Sequence, residues 1–359
     1  MNCSVEFLVR IRCMTYNQVA YIEDAMNGFC MQQTNFPFLC VIVDDASTDG
    51  EQEVIKKYLV DNFDSVDIGL STEDETDEYL RIYARHKENK NCYFCVLLLK
   101  YNHYSIKKSK YNSIYELIIP IKYIAVCEGD DYWTDPKKLQ KQVDFLENNL
   151  DFSLCFHNVQ VFKEKEGIFV DDFITLKVPS ETDIYELING NYIHTLSVVY
   201  RKNDNVYNDQ RILGNSKIGD FPLWLLCAQY GKIKKFEECM AVYRYGVGIW
   251  STTNDDINKL QVIIDVYEKF YKYFSLEDVA RRECYFDVNK LIVDIKRILS
   301  QLYSKVSKKA YKNNDRKLYR KYYFKAIKMY PHKTRNIKEF LADCMFPVLY
   351  SKLRKKEIS

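Results

Sequence analysis

Residues 121–136, IKYIAVCEGDDYWTDP, set an apolar run directly before a crowd of acids. Ile121–Cys127 reads as a buried strand. Glu128, Asp130 and Asp131 follow at its end, and Thr134–Asp135–Pro136 opens a helical pattern, TDPKKLQKQVDFL. Like charges on neighbouring residues repel, and more so at low dielectric. A divalent cation with bound phosphates reverses that penalty, and Mg²⁺ and Mn²⁺ favour carboxylate oxygens. An acidic capping turn is the other reading. It accounts for Thr134 or Asp135 and leaves Glu128, Asp130 and Asp131 unexplained as a group. No histidine-rich cluster accompanies the acids, which weakens the case for zinc.

Upstream, strand and helix patterns alternate. FLVRIRC (7–13), FLCVIVDD (38–45) and CYFCVLLLK (92–100) read as strands; 19–33, EQEVIKKYLVDNF and YNSIYELI read as helices, with a surface helix expected over 71–90. This is an α/β pattern: a mostly parallel sheet sandwiched by helices. Ligands in such sheets bind beyond the carboxyl ends of the strands. Asp44 and Asp45 after one strand, and Glu128–Asp131 after another, therefore fall where chemistry is expected. Further on, 153–162 and 195–202 read as strands, 181–190 as a short helix, and 232–245 as extended. GDFPLWLLCAQYG (219–231) reads as a helix with Asp220 near its N-cap. From about residue 255 the pattern is helical, which sets a boundary near STTNDD.

The chain has 359 residues, 47% of them hydrophobic, enough for a substantial core. Charge is polarised: residues 301–359 carry 17 basic and 4 acidic groups, the remainder 35 and 46. A basic tail faces either an anionic partner or plain solvent. The 12 cysteines are scattered singly, which argues for thiols in a reducing compartment. Cys92 and Cys95 have no second pair to complete a zinc site. No signal-peptide pattern and no run of about 18 apolar residues occurs, so a cytoplasmic location is expected.

No glycine-rich dinucleotide or P-loop fingerprint is present. The chain instead resembles the family 2 glycosyltransferases of GT-A fold. CMTYNQVAYIEDAMNGFCMQQ is similar to that family's first strand, nucleotide loop and helix; VIVDDASTDG to its second-strand signature; YIAVCEGDDYWTDPKKLQKQVDFL to the region of its metal-binding DxD element, in the form of an EGDD-type subgroup. GDFPLWLLCAQYGKIKKFEECMAVYRYGVGIWS resembles its acceptor-side segment. The resemblance spans roughly residues 5–255. It implies a catalytic domain over 1–254, with a nucleotide-sugar half (1–131) and an acceptor half (132–254), followed by a helical region over 255–359.

Roles follow from the resemblance position by position. Thr15, Tyr16 and Asn17 would line the donor loop, Asp45 would bond the base, and Asp44 and Ser47 would shape the turn. Glu128-Gly129-Asp130 occupies the DxD place, with Asp130 the first candidate for a Mn²⁺ or Mg²⁺ ligand and Glu128 the second. Asp131 is a candidate for sugar contact and Asp220 for the general base. Lys107, Lys108, Lys110, Trp133 and Trp250 are candidates for diphosphate or sugar contact, each with a solvated or core reading beside it. His194 and Thr195 are candidates for the acceptor side. The family's histidine near GVGIWS is absent, since Tyr245 stands there.

The implied activity is inverting, metal-dependent transfer of a sugar from a nucleotide-diphosphate donor, a UDP-sugar foremost, to a hydroxyl of a saccharide or lipid-linked glycan. The alternatives are a nucleotidyltransferase or pyrophosphorylase, and a non-catalytic glycan- or nucleotide-binding protein. Residues 337–359 carry a short apolar run flanked by basic groups, suited either to the anionic inner face of a membrane or to packing on the catalytic domain. No RNA-binding motif accompanies the basic residues, so no nucleic-acid partner is expected.

Overall fold

The computed structural model describes residues 5–65, 73–108, 120–172, 174–175, 177–213, 216–248, 252, 255–280 and 285–330. The chain divides into two units, 1–253 with 284–286, and 254–283 with 287–359.

The first unit is built on one sheet. Its centre is β1 (Val9–Thr15), β2 (Phe38–Asp44), β6 (Cys92–Leu99) and β7 (Tyr123–Val126). These run parallel in the order β7-β1-β2-β6. All eight residues of the apolar β6 and all seven of β2 are buried, Asp44 at the end of β2 included. Helices α1 (Ile22–Cys30), α2 (Glu51–Asn62) and α3 (Lys138–Asn148) connect the strands. Ile22, Met26 and Phe29 of α1, Ile55 and Leu59 of α2, and Leu139, Val143 and Leu146 of α3 share one core with Val9, Ile11, Ile42 and Val96. Alternate residues Leu39, Val41, Cys95 and Leu97 make a second core on the opposite face. Cys92 and Cys95 thus belong to different faces of the sheet, which separates the CYFC pair.

The wings are antiparallel. The helix expected over 71–90 is replaced by strand: β3 (Phe63–Ser65) and β4 (Glu73–Glu75) flank β5 (Tyr79–His86), which pairs antiparallel with β6. The sequence YLRIYARH alternates by twos, with Leu80, Ile82 and Ala84 on the first core and Tyr79 and Tyr83 on the second. A strand edge supplied by β6 lets this period win over a helical reading.

On the other side stand β8 (Tyr132–Trp133), β9 (Phe152–Lys163), β10 (Ile168–Asp171), β11 (Glu181–Thr182), β12 (Val199–Arg201) and β13 (Lys232–Tyr245). β9 and β13 are parallel to each other, and β12 joins β9 to β7 antiparallel. The strand expected at 195–202 shortens to β12 because a 3-10 turn occupies Thr195–Ser197. The helix expected at 181–190 narrows to α4 (Ile184–Leu187), opened by a capping box between Asp183 and Glu186. α5 (Asp204–Leu213) precedes α6 (Asp220–Cys227), whose Trp224 meets Tyr200 of β12 with ring centroids 6.0 Å apart.

The second unit is helical: α7 (Asp256–Phe274), α8 (Glu277–Ala280), α9 (Val288–Lys312) and α10 (Arg316–Met329). Asp255, Asp287 and Asp315 cap three of these helices through their side chains. Among the described residues no helix is long and apolar enough to cross a membrane. Lys110, Trp250, the expected helix YNSIYELI and the tail 337–359 lie outside the described residues.

Candidate active site

Three strand ends bring the site together. β1 ends at Thr15, β2 at Asp44, and β7 leads directly into Cys127–Asp131. Main-chain bonds from Cys127 N–H to Arg12 O (3.1 Å) and from Gly129 N–H to Met14 O (3.2 Å) hold the acidic turn alongside β1. A side chain at Gly129 has no room: a Cβ there would stand 2.6 Å from Gln18 Oε1 and would also strike the Thr15 hydroxyl. This contact requires the glycine of EGD.

The donor-loop residues form a network centred on a group the sequence reading overlooked, Glu51. Its buried carboxylate accepts the Thr15 hydroxyl, the Gln18 main-chain N–H (2.8 Å) and the Ser47 hydroxyl (2.8 Å). Burial raises its pKa, and these donors work against the rise. Asn17 adopts φ 55° and joins the two loops, its N–H donating to Ser47 Oγ and its Oδ1 accepting from Thr48 N–H, both at 2.8 Å. Tyr16 is exposed at the rim. Asp44 is fully buried and accepts Ser47 N–H at 3.0 Å, while its Oδ2 has no hydrogen-bond partner. Asp45 accepts the main-chain N–H groups of His103 (2.6 Å) and Tyr104 (3.1 Å), tying 102–108 to the end of β2.

Glu128 is exposed, whereas Asp130 and Asp131 are buried. Arg244 of β13 organises the pair. Its main-chain N–H donates to Asp131 Oδ1 at 2.8 Å, its Nη1 to the Asp130 carbonyl at 2.9 Å, and its other guanidinium nitrogen pairs with Asp24. The guanidinium lies over Tyr21 (4.9 Å) and Tyr132 (4.6 Å). Burial, then the Asp130 charge, pushes the Asp131 carboxyl well up, with the Arg244 contacts opposing; burial also raises Asp130.

Such crowding suits a divalent cation. Among the described residues no group of three or more His, Cys, Asp or Glu side chains is disposed to hold a metal ion alone. A small hard cation fits these carboxylates all the same, since Mg²⁺ typically takes one or two carboxylates and completes its shell with water and substrate phosphates. Asp130, with Glu128 beside it, is the set available.

Asp220 is the first residue of α6, with Gly219 at the N-cap. Asn191 Nδ2 donates to Asp220 Oδ2 at 2.9 Å. Burial raises the Asp220 pKa, and Asn191 and His194 pull it back. His194 Nε2 lies 3.1 Å from Asp172 Oδ2, and its ring packs 4.9 Å from that of Tyr243. Tyr243 precedes Arg244 on β13. Its hydroxyl pKa is raised by burial and then by the charges of Asp131, Asp130, Glu128 and Asp220. Asn191, Asp172, Tyr243 and Arg244 were all missed by motif reading; the YRY of the acceptor-side segment was the available signal for the last two.

Two candidates are placed differently. Trp133 is buried, donates from Nε1 to Leu196 O at 2.8 Å, and is covered by Phe29 and by Lys138 Nζ 4.0 Å from its ring centroid. It is a core residue, not a sugar wall, because β8 pairs with β13 and turns the indole inward. Lys108 is paired with Glu78 and lies 5.6 Å from the Tyr101 ring centroid, so its charge is engaged; Lys107 is exposed at φ 55°. Thr195 begins the 3-10 turn beside His194.

Residues 13–68 match the family model for glycosyl transferase family 2. The chain is 34% identical over 250 residues to the uncharacterised protein Rv1520 of Mycobacterium tuberculosis, covering 68% of this chain and 61% of that one, so it spans about three fifths of that relative's length. It is 25% identical over 240 residues to TuaG of Bacillus subtilis, whose name assigns it, without certainty, to teichuronic acid biosynthesis as a glycosyltransferase; 66% of this chain and 79% of that one are covered. A solved structure of S. aureus TarS residues 1–349 with UDP overlaps with a TM-score of 0.46 and 12% identity, over 92% of this chain and 93% of that one. Over residues 13–68 the chain belongs to glycosyl transferase family 2.

Proposed function

We propose that the chain transfers a sugar from a nucleoside-diphosphate donor, with UDP-sugars the first to test, to a hydroxyl of a saccharide or lipid-linked glycan, by single displacement with inversion at the anomeric carbon. The observation that supports the reading is the acidic turn after β7, where Asp130 and Asp131 are buried and Arg244 bonds both, its main-chain N–H to Asp131 Oδ1 at 2.8 Å and its Nη1 to the Asp130 carbonyl at 2.9 Å. The match of residues 13–68 to glycosyl transferase family 2 supports the reaction class.

The roles then divide by chemistry. The loop around Thr15–Asn17, held by Glu51, receives the donor, with Asp44, Asp45 and Ser47 at the base end. Asp130, with Glu128, would hold Mn²⁺ or Mg²⁺, which when bound neutralises charge gathering on the departing diphosphate. The acceptor oxygen bonds to the anomeric carbon as the carbon–diphosphate bond breaks. Its proton passes to the Asp220 carboxylate, a general base in the sense that it need only come within about 2.6–3.2 Å of the hydroxyl in the reactive complex. His194, fixed by Asp172, and Asn191 orient groups on the acceptor side.

The test is a panel of nucleotide sugars incubated with the protein, with and without Mn²⁺. Cation-dependent release of nucleoside diphosphate is expected. Formation of sugar 1-phosphate with nucleoside triphosphate turnover would favour the nucleotidyltransferase reading, and binding without turnover in the presence of acceptor a binding protein.

A further inference from the structure

Helix α10 of the second unit has two faces of opposite character. Asp315 opens it, its side chain accepting the Leu318 N–H at 2.9 Å, and the helix then runs RKLYRKYYFKAIKM. Tyr322 and Ala326, one turn apart, are buried. Tyr322 meets Tyr303 of α9 with ring centroids 5.9 Å apart. Ser300 and Ser307 of α9 donate to the carbonyls of Ala326 (2.9 Å) and Tyr319 (3.2 Å). One face of α10 is therefore fastened to α9. The opposite face holds Lys317, Arg320, Lys321, Phe324 and Lys328, at i, i+3, i+4, i+7 and i+11, which keeps them on one stripe about 16 Å long. All five are exposed, Phe324 to 59%.

The charge on this stripe has one sign. Residues 305–328 include 10 basic groups and a single acid, Asp315, which is engaged in the cap. Two of the basic groups lie off the stripe and are paired, Lys309 with Asp256 and Lys325 with Glu268. Among the described residues, the four cations of the stripe have no acidic partner. Water solvates those four charges and leaves the phenyl ring among them uncovered. A soluble polyanion would meet the charges alone. A bilayer of acidic phospholipid meets both kinds of group, with phosphates at the level of the cations and acyl chains within reach of the ring.

We propose that this face of α10 docks the chain on an anionic membrane surface. The helix lies in the plane of the bilayer, Phe324 enters the boundary between headgroups and acyl chains, and Lys317, Arg320, Lys321 and Lys328 pair with lipid phosphates. The long lysine and arginine stems keep the charged ends at headgroup level while the ring goes deeper. At 14 residues, with basic groups throughout, α10 suits lying on a bilayer and is too short to cross one.

The test is co-sedimentation of the full-length protein with vesicles of phosphatidylcholine alone and of phosphatidylcholine mixed with phosphatidylglycerol. Binding to the anionic vesicles only is expected, and it should weaken as salt is raised, because screening shortens the reach of the charges. Neither result relies on a variant. Each cation near such a surface contributes roughly fivefold to binding, so the double variant Arg320→Gln, Lys321→Gln should lose at least about tenfold. Phe324→Ser should lose severalfold on vesicles and leave retention on heparin, a soluble polyanion, unchanged. These positions are exposed and glutamine keeps helix propensity, so unaltered circular dichroism is expected of the variants. Three results overturn the proposal: no binding to anionic vesicles, binding that survives both variants and so lies elsewhere on the chain, or retention on heparin with no binding to vesicles. Vesicle binding does not depend on sugar transfer, so the nucleotide-sugar panel and this assay fail separately.

Discussion

The Asp131 carboxylate accepts the main-chain N–H of Arg244 at 2.8 Å, joining residues 113 apart in sequence. The same arginine's Nη1 bonds the Asp130 carbonyl, so the last strand of the first unit fixes the shape of the acidic turn. Arg244→Lys retains the charge and loses the planar fork and its stacking on Tyr21 and Tyr132. We expect a stability loss of about 1–3 kcal/mol in urea denaturation, together with weaker donor binding by calorimetry. An unchanged midpoint and donor affinity would show that the fork is dispensable.

Glu51 accepts three donors at once. Glu51→Gln replaces one acceptor oxygen with an NH₂ that faces a donor, which costs about 1–3 kcal/mol. The disturbance falls on the Thr15–Ser47 loops, so KM for the donor should rise with little change in kcat. A fall confined to kcat would place Glu51 in the chemical step instead.

Asp220→Asn should leave donor binding intact and lower transfer by about 10²- to 10⁴-fold. Asn191→Ala is the subtler variant. Its amide stabilises the charged Asp220 carboxylate, so its loss raises that pKa further and moves the acid limb of kcat/KM to higher pH. A pH–rate profile with an unmoved acid limb would sever Asn191 from the base.

Lys138 is fully buried, with Nζ 2.8 Å from Gln142 Oε1 and burial lowering its pKa to about 7. Its unfolded value is about 10.4. Between these values the unfolded chain binds the extra proton, so this group makes the fold more stable as pH rises, by up to about 1.4 kcal/mol per pH unit. Below pH 7 both states are protonated and the burial penalty is complete. Lys138→Met should remove this slope, read as a stability difference from the parent that shrinks or reverses between pH 7 and 10. Parallel curves over that interval would mean that Lys138 keeps its charge in the fold.

Much was fixed by local sequence alone. β2 and β6 are nearly continuous apolar runs, which suits the centre of a sheet, and the acids that end β2 and follow β7 mark the carboxyl edge of that sheet. Periodicity failed at 71–90, where an antiparallel neighbour, not local propensity, decided for strand. It left Trp133 open between sugar contact and core, since nothing in YWTDP says which way the indole turns; pairing of two residues with β13 decided for the core. The order of the motifs located Asp130 and Asp220, because each is tied to the end or start of its own element. That Arg244, Tyr243, Asn191 and Asp172 gather around them depended on strands β9, β12 and β13 pairing across long separations, and hydrogen bonds between segments so distant leave no periodic trace in a linear chain.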